Sequence, residues 1–332
     1  MTRKFFLSLG LPVLAFSFIG SPVLAQKVTY VLPAPYPLPS FMFLYAAEGK
    51  GFFKDQGISI KFVVGKGGVD AVKQVGAGNA EFGGGLGDSP IIVRPQGVPV
   101  KGVALMGDGA LHFIAARKDL GVNTLKDLKG KQIAVMTYAD TSYFVLLAIL
   151  AKLGIKKQDV TINAYGPGGM IKAVMTGKAV ALFNPPFFGA SVQAKYPTLW
   201  VQATKFFPSF AQAVVTSDKM IKGKSNLVRK FVLASLKGMK YTMDHPEEVK
   251  QIYIGRNPTW KKPARRKVLD TVVEKYVKEI YPGQKVLGEM DLDRLREVQD
   301  YYLKVKVIRK KSKLTDLFDN SFVRQVASEI SR

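Results

Sequence analysis

Short apolar runs rich in β-branched residues alternate with helix-like segments through the first two thirds of this chain. The runs lie at residues 28–32, 58–64 and 100–106, and residues 80–82 begin a further strand. Helical patterns occupy residues 40–50 and 69–77 between them. Buried strands that alternate with helices in this way are typical of parallel β-α-β units. The pattern therefore predicts an α/β protein.

The same alternation begins again near the middle of the chain. It predicts strands at residues 132–136, 160–164, 180–183 and 199–202, with helices at residues 143–153 and 170–176. Gly67-Gly68 opens a helix in the first half, and Gly168-Gly169 does so at the matching place in the second. Two segments with the same order of elements indicate two similar α/β lobes. Beyond Ser217, amphipathic patterns at residues 224–243, 264–281 and 292–305 predict helices.

A glycine-rich segment follows the strand that begins at residues 80–82. We predict that residues 83–90, GGGLGDSP, form a turn that opens a short helix. The segment lacks the Gly-Lys-Ser/Thr ending of a phosphate-binding loop and an acidic residue placed for a ribose. We therefore expect no nucleotide at this turn and no cofactor in the protein.

The amino terminus has the pattern of a secretory signal peptide. Arg3 and Lys4 precede an apolar run at residues 5–20, and Val23 and Ala25 are the small residues of a cleavage site. We predict that residues 1–25 are removed after Ala25. No later apolar run is long enough to cross a bilayer. The expected location is the periplasm.

Composition excludes several classes of site. The chain has no cysteine, which rules out disulfides, thiolate metal centres and cysteine nucleophiles. It has two histidines, His112 and His245, so we expect no His-rich metal site. His112 is interpreted as a hydrogen-bonded hinge residue between the lobes. No catalytic set can be assembled from the motifs, and the protein is predicted not to be an enzyme.

The chain is strongly basic. Lys and Arg number 49 against 25 Asp and Glu, which gives a formal net charge of +24. Such a field attracts anions or an acidic partner, or it is simply a solvated surface. Residues 304–313 are the densest basic run, but no nucleic-acid-binding motif accompanies it. We expect no nucleic-acid partner.

Polar turns that open helices follow several predicted strands. The carboxyl ends of strands in α/β lobes form ligand sites, and helix amino termini there offer unpaired N–H groups. Aromatic residues in the same turns can stack on a planar ligand. The candidate ligand-binding residues are Tyr36, Pro39, Ser40, Gly87, Asp88, Ser89, Tyr138, Thr141, Ser142, Gly168, Asn184 and Phe187. The alternative is that the polar members only cap helices and the aromatic members only pack.

Several motifs resemble the substrate-binding proteins of nitrate-, sulfonate- and taurine-type ABC transporters. They are VTYVLPA at residues 28–34, FLYAAEGKGFFKDQG at 43–57, GNAEF at 78–82, GDSP at 87–90, DLKGK at 127–131 and GKAVA at 177–181. This family also includes proteins that bind thiamine pyrimidine precursors. The resemblance covers essentially the whole mature chain.

The resemblance implies a class II periplasmic binding protein fold, with two α/β lobes joined by a two-strand hinge. Residues 26–113 and 208–332 would form lobe one, and residues 114–207 lobe two. Such a protein is a monomer that closes over a small-molecule ligand and presents it to a membrane permease. The family also contains eukaryotic pyrimidine synthases with a run of cysteines, which this chain lacks.

The residues leave the ligand open between a small anion, such as a sulfonate or carboxylate, and a planar aromatic or pyrimidine-like compound. A binding protein that serves a membrane receptor as a sensor is the alternative to transport. An enzyme on the same fold is a further alternative.

Overall fold

The computed structural model describes residues 25–35 and 38–330, and within them ten strands form two separate five-stranded sheets. The predicted signal peptide lies outside the described residues apart from Ala25, and so does Tyr36. Each sheet is covered by helices, which confirms the α/β prediction. Among the described residues, no helix combines the length and the apolar character that a membrane span requires.

The first sheet has the order β2-β1-β3-β10-β4. Its strands are β1 (Gln26–Leu32), β2 (Ile58–Val64), β3 (Phe82–Leu86), β4 (Val100–Met106) and β10 (Gln212–Ser217). β1 runs parallel to β2 and β3, whereas β10 is antiparallel to both of its neighbours. The chain therefore returns to this sheet late, after all the strands of the second sheet.

The second sheet has the order β7-β6-β8-β5-β9. Its strands are β5 (Phe113–Arg117), β6 (Gln132–Val135), β7 (Thr161–Ala164), β8 (Ala181–Asn184) and β9 (Thr198–Gln202). Here β5 is the antiparallel strand, paired with β8 and β9. The two sheets are thus built alike, and the strand that breaks the parallel order in each adjoins a connection between the sheets.

Helices cover both sheets and fill the carboxyl-terminal third of the chain. They are α1 (Met42–Gly49), α2 (Phe52–Asp55), α3 (Gly68–Gly76), α4 (Ser89–Val93), α5 (Thr141–Lys152), α6 (Gly166–Met175), α7 (Pro186–Gln193), α8 (Asp218–Gly223), α9 (Ser225–Asp244), α10 (Pro246–Arg256), α11 (Pro263–Lys275), α12 (Leu292–Lys304), α13 (Leu314–Leu317) and α14 (Ser321–Val326). The predicted helix at residues 264–281 ends in a wider π-helical turn, Tyr276–Ile280.

The glycine-rich segment corrects one prediction. Residues 83–86 form most of β3, a buried strand between β1 and β10, and not a turn. A Cβ atom on Gly83 would lie 2.8 Å from the Val75 side chain of α3, and one on Gly85 would lie 2.4 Å from Ser89 Oγ. Glycine is required here because two helices approach the strand too closely for a side chain.

The core of the first lobe is organised around Phe231 of α9. Its ring stacks on Phe82 of β3, with ring centroids 4.0 Å apart, and on Tyr30 of β1 at 5.8 Å. α9 also crosses α1 closely, since a Cβ atom on Gly238 would lie 2.1 Å from the carbonyl oxygen of Phe43. The carboxyl-terminal helices therefore complete the first lobe.

Candidate ligand-binding cleft

The two lobes face each other across the carboxyl ends of their strands, and two of the hydrogen bonds between them lie at this edge. Ser89 Oγ and Thr141 Oγ1 lie 2.8 Å apart, and both hydroxyls are buried. The Gly68 N–H donates to Asp140 Oδ2 at 3.0 Å. Ser89 and Gly68 begin helices of the first lobe, and Thr141 begins α5 of the second. The structure is therefore a closed arrangement of the lobes.

A narrow cleft lies beside these contacts, and in this closed arrangement it leaves about 30 Å³ of space that water can enter, so a larger ligand requires the lobes to part. Residues of both lobes line it: Pro33, Ala34, Ser40, Phe41, Gly68, Gly85, Leu86, Leu111, His112, Met136, Asp140, Thr141, Asn184, Pro185, Phe188 and Gln212. Most of these side chains are apolar, and the polar ones are few and buried. This combination is typical of a site for a small organic molecule.

The Asp140 carboxylate accepts hydrogen bonds from backbone N–H groups at the amino termini of two helices. Oδ1 accepts the Ser142 N–H of α5 at 2.9 Å, and Oδ2 accepts the Gly68 N–H of α3. Gly67 permits this approach: its φ is +114°, and a Cβ atom there would lie 2.8 Å from Asp140 Cα. The positive ends of both helices thus meet a carboxylate that belongs to the protein itself.

Two polar atoms in the cleft have no hydrogen-bond partner within the described part of the chain. They are Ser40 Oγ and His112 Nδ1, and both side chains are buried. Burial lowers the pKa of His112 to about 4, and the nearby Asp140 carboxylate opposes this shift. His112 is therefore a neutral imidazole at physiological pH. The interpretation of His112 as hydrogen-bonded does not hold for Nδ1.

Three predicted ligand-binding residues line the cleft, namely Ser40, Thr141 and Asn184. Ser40 lies in the short helical turn Pro39–Phe41 ahead of α1. Thr141 is the first residue of α5, and Asn184 is the last residue of β8. The Asn184 amide donates to the carbonyl oxygen of Phe183 at 2.7 Å. Each of the three therefore lies at the end of a strand or at the start of a helix, as predicted from the sequence.

Asp88 is predicted as a ligand contact, but its carboxylate is occupied within the first lobe. It accepts the Tyr302 hydroxyl at 2.7 Å, Ser209 Oγ at 3.1 Å and the Phe210 N–H at 3.2 Å. Burial raises the pKa of the Asp88 carboxyl, and the bond from Tyr302 opposes that shift. Gly87 packs against Phe210, where a Cβ atom would meet the ring. Neither residue lines the cleft.

Three other predicted residues are buried next to the cleft without lining it: Pro39, Ser89 and Ser142. Pro39 begins the helical turn that carries Ser40. Ser89 is joined to Thr141, and Ser142 gives its N–H to Asp140 while its own Oγ has no partner within the described residues. Their roles in this structure are capping and contact between the lobes.

Three more predicted residues, Tyr138, Gly168 and Phe187, do not line the cleft. Tyr138 is half exposed, and its hydroxyl donates to the carbonyl oxygen of Ile162 at 3.0 Å. Gly168 is exposed on α6. Phe187 packs edge-on against Trp260 at 5.7 Å and so joins α7 to the first lobe. Tyr36 lies outside the described residues.

Sequence reasoning did not select several residues that line the cleft. Phe41 and Phe188 supply aromatic walls, and Gln212 and His112 supply polar groups. Gln212 begins β10, a strand that the sequence pattern did not reveal. Phe188 is adjacent to the predicted Phe187. Neighbouring residues of a helix lie on different faces, and in α7 it is Phe188 that lines the cleft. The sequence pattern indicated Asp140 only as a capping residue before α5, and His112 only as a hinge residue.

Comparison with known proteins supports this architecture. The chain is 28% identical over 232 residues to the riboflavin-binding protein RibY of Chloroflexus aurantiacus, a match of 67% of this chain and 64% of that protein. The match thus spans less than two thirds of that relative. This chain is also 25% identical over 298 residues to a putative aliphatic sulfonates-binding protein of Bacillus subtilis. That match covers 87% of this chain and 86% of the Bacillus protein.

A solved structure shows the same fold. The alkanesulfonate-binding protein SsuA of Xanthomonas axonopodis pv. citri, bound to MOPS, superposes with a TM-score of 0.71 at 14% identity. The match covers 89% of this chain and 98% of that one. The predicted two-lobed periplasmic binding protein fold is thereby confirmed. Residues 38–249, well over half of the chain, match the family described as NMT1/THI5 like. The chain belongs to the NMT1/THI5-like family.

Proposed function

We propose that this protein is an extracytoplasmic solute-binding protein that captures a small organic molecule between its lobes and delivers it to an ABC transporter permease. The observation that carries the proposal is the cleft itself, which is lined from both lobes and holds polar atoms without a partner among the described residues. A ligand that contacts both lobes favours their closed arrangement. The relatives named as binding proteins support this function.

The cleft favours an uncharged, planar ligand over an anion. Its described lining includes no Lys or Arg, and its one carboxylate, Asp140, already occupies the helix amino termini that an anion would use. A second negative charge beside Asp140 would be repelled. Phe41 and Phe188 offer ring faces or edges, whereas Ser40, Asn184 and neutral His112 offer hydrogen bonds. A heteroaromatic compound with N–H or hydroxyl groups meets these requirements.

Binding without catalysis fits the same residues. The hydroxyl of Thr141 is engaged by Ser89, and both carboxylate oxygens of Asp140 accept backbone N–H groups. A hydroxyl nucleophile needs a base within hydrogen-bond reach. Neither Ser40 Oγ nor His112 Nδ1 has a partner within the described chain, so these two atoms do not form such a pair.

The predicted domain boundaries and location form part of the proposal. Strand membership of the two sheets supports lobe one at residues 26–113 and 208–332, and lobe two at residues 114–207, except that Phe113 begins β5 and pairs in the second sheet. Removal of residues 1–25 would release the mature chain into the periplasm. Sequencing the amino terminus of protein recovered from the periplasm of a two-membrane bacterium tests this location, and a start at Gln26 is expected.

Native mass spectrometry of the purified mature chain tests the function. We expect a bound small molecule that denaturation releases, and a melting temperature that falls on its removal and recovers on its return. With ligand-free protein, riboflavin or an aminopyrimidine should raise the melting temperature, whereas methanesulfonate and nitrate should not. Stabilisation by the two anions alone would refute the ligand class while supporting the binding function.

A pair of serine variants localises the binding. Ser40→Ala removes a buried hydroxyl from the cleft and should raise the Kd of the stabilising compound about five- to tenfold. Ser191→Ala removes a hydroxyl that donates to the carbonyl oxygen of Phe187 on α7, outside the cleft, and should leave the Kd unchanged. Equal effects of the two substitutions, or no effect of either, would contradict the assignment of the cleft.

A further inference from the structure

Two stretches of chain connect the lobes, residues 107–112 between β4 and β5 and residues 203–211 between β9 and β10. They run side by side and bond to each other. The Leu111 N–H donates to the carbonyl oxygen of Phe210 at 3.1 Å, and the Ala203 N–H donates to that of His112 at 2.9 Å. Any change in the angle between the lobes must bend both connections together.

Arg294 of α12 holds both connections with one guanidinium group. Nη1 donates to the carbonyl oxygen of Asp108 at 2.7 Å and to its carboxylate at 3.0 Å. Nε donates to the carbonyl oxygen of Pro208 at 3.0 Å, and Nη2 donates to that of Ser209. The side chain is 15% exposed. The planar, five-donor guanidinium suits this task because its donors diverge at fixed angles.

The second connection is also fixed from the other side. Asp88 accepts Ser209 Oγ and the Phe210 N–H, and Tyr302, also on α12, donates its hydroxyl to Asp88. The guanidinium carbon of Arg294 lies 4.7 Å from the centre of the Phe210 ring. Residues 108 and 208–210 are therefore anchored to the first lobe, and so is Phe207, whose ring stacks on Tyr302 at 5.3 Å. His112 and residues 203–206 lie beyond the anchor.

We propose that Arg294 is the positioning residue of the hinge. It fastens both connections to the first lobe, so that the lobes bend at His112 and at residues 203–206, next to the second lobe. By holding the two connections at a fixed separation, Arg294 restricts the lobes to one path of opening. This inference rests on the two-lobed fold and requires no assumption about the ligand.

Arg117 provides a matched control within the second lobe. Its Nη1 donates to the carbonyl oxygens of Val174 at 3.0 Å and Met175 at 2.9 Å, and its Nε donates to Asp119 at 3.0 Å. Like Arg294, it binds backbone carbonyl oxygens and one carboxylate, although its two carbonyl partners belong to a single segment. None of its partners belongs to a connection between the lobes, so its loss should affect stability without affecting the hinge.

The distance between the lobes in ligand-free protein tests the proposal. Because the chain has no cysteine, Lys54→Cys on α2 and Lys172→Cys on α6 supply two unique sites for spin labels on exposed residues. Pulsed electron paramagnetic resonance then gives the distribution of interlobe distances. We expect Arg294→Met to widen the distribution about twofold relative to the parent, and Arg117→Met to leave its width unchanged.

Arg294→Lys provides a second test if the methionine variant does not fold. Lysine keeps the positive charge beside Asp108, but a single ammonium group cannot span both connections, so this variant should also show the wider distribution. Circular dichroism of each variant confirms that it is folded before the distances are compared. A distribution of parental width in folded Arg294→Lys, or equal widening in Arg117→Met, would overturn the proposal.

Discussion

The buried imidazole of His112 makes the stability of this protein sensitive to mild acid. Folding lowers the pKa of His112 from 6.5 to about 4, chiefly through burial. Well above pH 6.5 the imidazole is neutral in both states and contributes little pH dependence. Between pH 6.5 and pH 4 the unfolded chain binds the proton first, so stability falls as the pH falls. The loss is about 2 kcal/mol at pH 5 and approaches about 3 kcal/mol near pH 4.

Urea unfolding of ligand-free protein, followed by the fluorescence of Trp200 and Trp260, measures this effect at pH 7 and pH 5. Other groups, Asp88 among them, add their own pH dependence, so the informative quantity is the difference between variants. The free energy of unfolding should fall between pH 7 and pH 5 by about 2 kcal/mol less in His112→Gln than in the parent. His245→Gln removes an exposed imidazole and should retain the parental loss. Identical losses in the parent and His112→Gln would refute the reasoning.

Further predictions concern the closed contact and the core. Tyr302→Phe leaves the buried Asp88 carboxylate short of one donor and should lower the free energy of unfolding by about 1.5–3 kcal/mol in urea titrations. Gly67→Ala places a methyl group against the facing loop of the second lobe, and X-ray scattering should show a larger radius of gyration. Gly78→Ala, also at positive φ but with open space around it, should scatter like the parent. Phe231→Ala removes the central ring of the first lobe's core and should cost about 3–5 kcal/mol.

Strands were predicted well where local pattern alone determines them. The predicted bounds of β2 and β4 agree with the structure, because both are short segments in which apolar and β-branched residues predominate. β3 was mistaken for a turn because glycine usually marks one. What keeps Gly83 and Gly85 in a strand is the close approach of α3 and α4, which no local pattern reveals.

The site was predictable only in part, for a similar reason. The rule that polar residues open helices at strand ends located Ser40, Thr141 and Asn184 at the cleft. The same rule selected Asp88, whose partners Ser209 and Tyr302 lie 121 and 214 residues away along the chain. The packing of α12, which is distant in sequence, thus gives the Asp88 carboxylate a structural role in the first lobe.

The contact between the lobes also bears on how ionic strength acts on this basic protein. The hydrogen bonds at the cleft join a hydroxyl to a hydroxyl and a backbone N–H to a carboxylate, and the Gln202 amide donates to the carbonyl oxygen of Glu279. Among the described residues no ion pair links one lobe to the other. Salt screens charges that are exposed and separated by more than about 8 Å at physiological ionic strength. Salt should therefore weaken the long-range attraction of this basic surface for an acidic partner far more than it weakens the hydrogen bonds between the lobes.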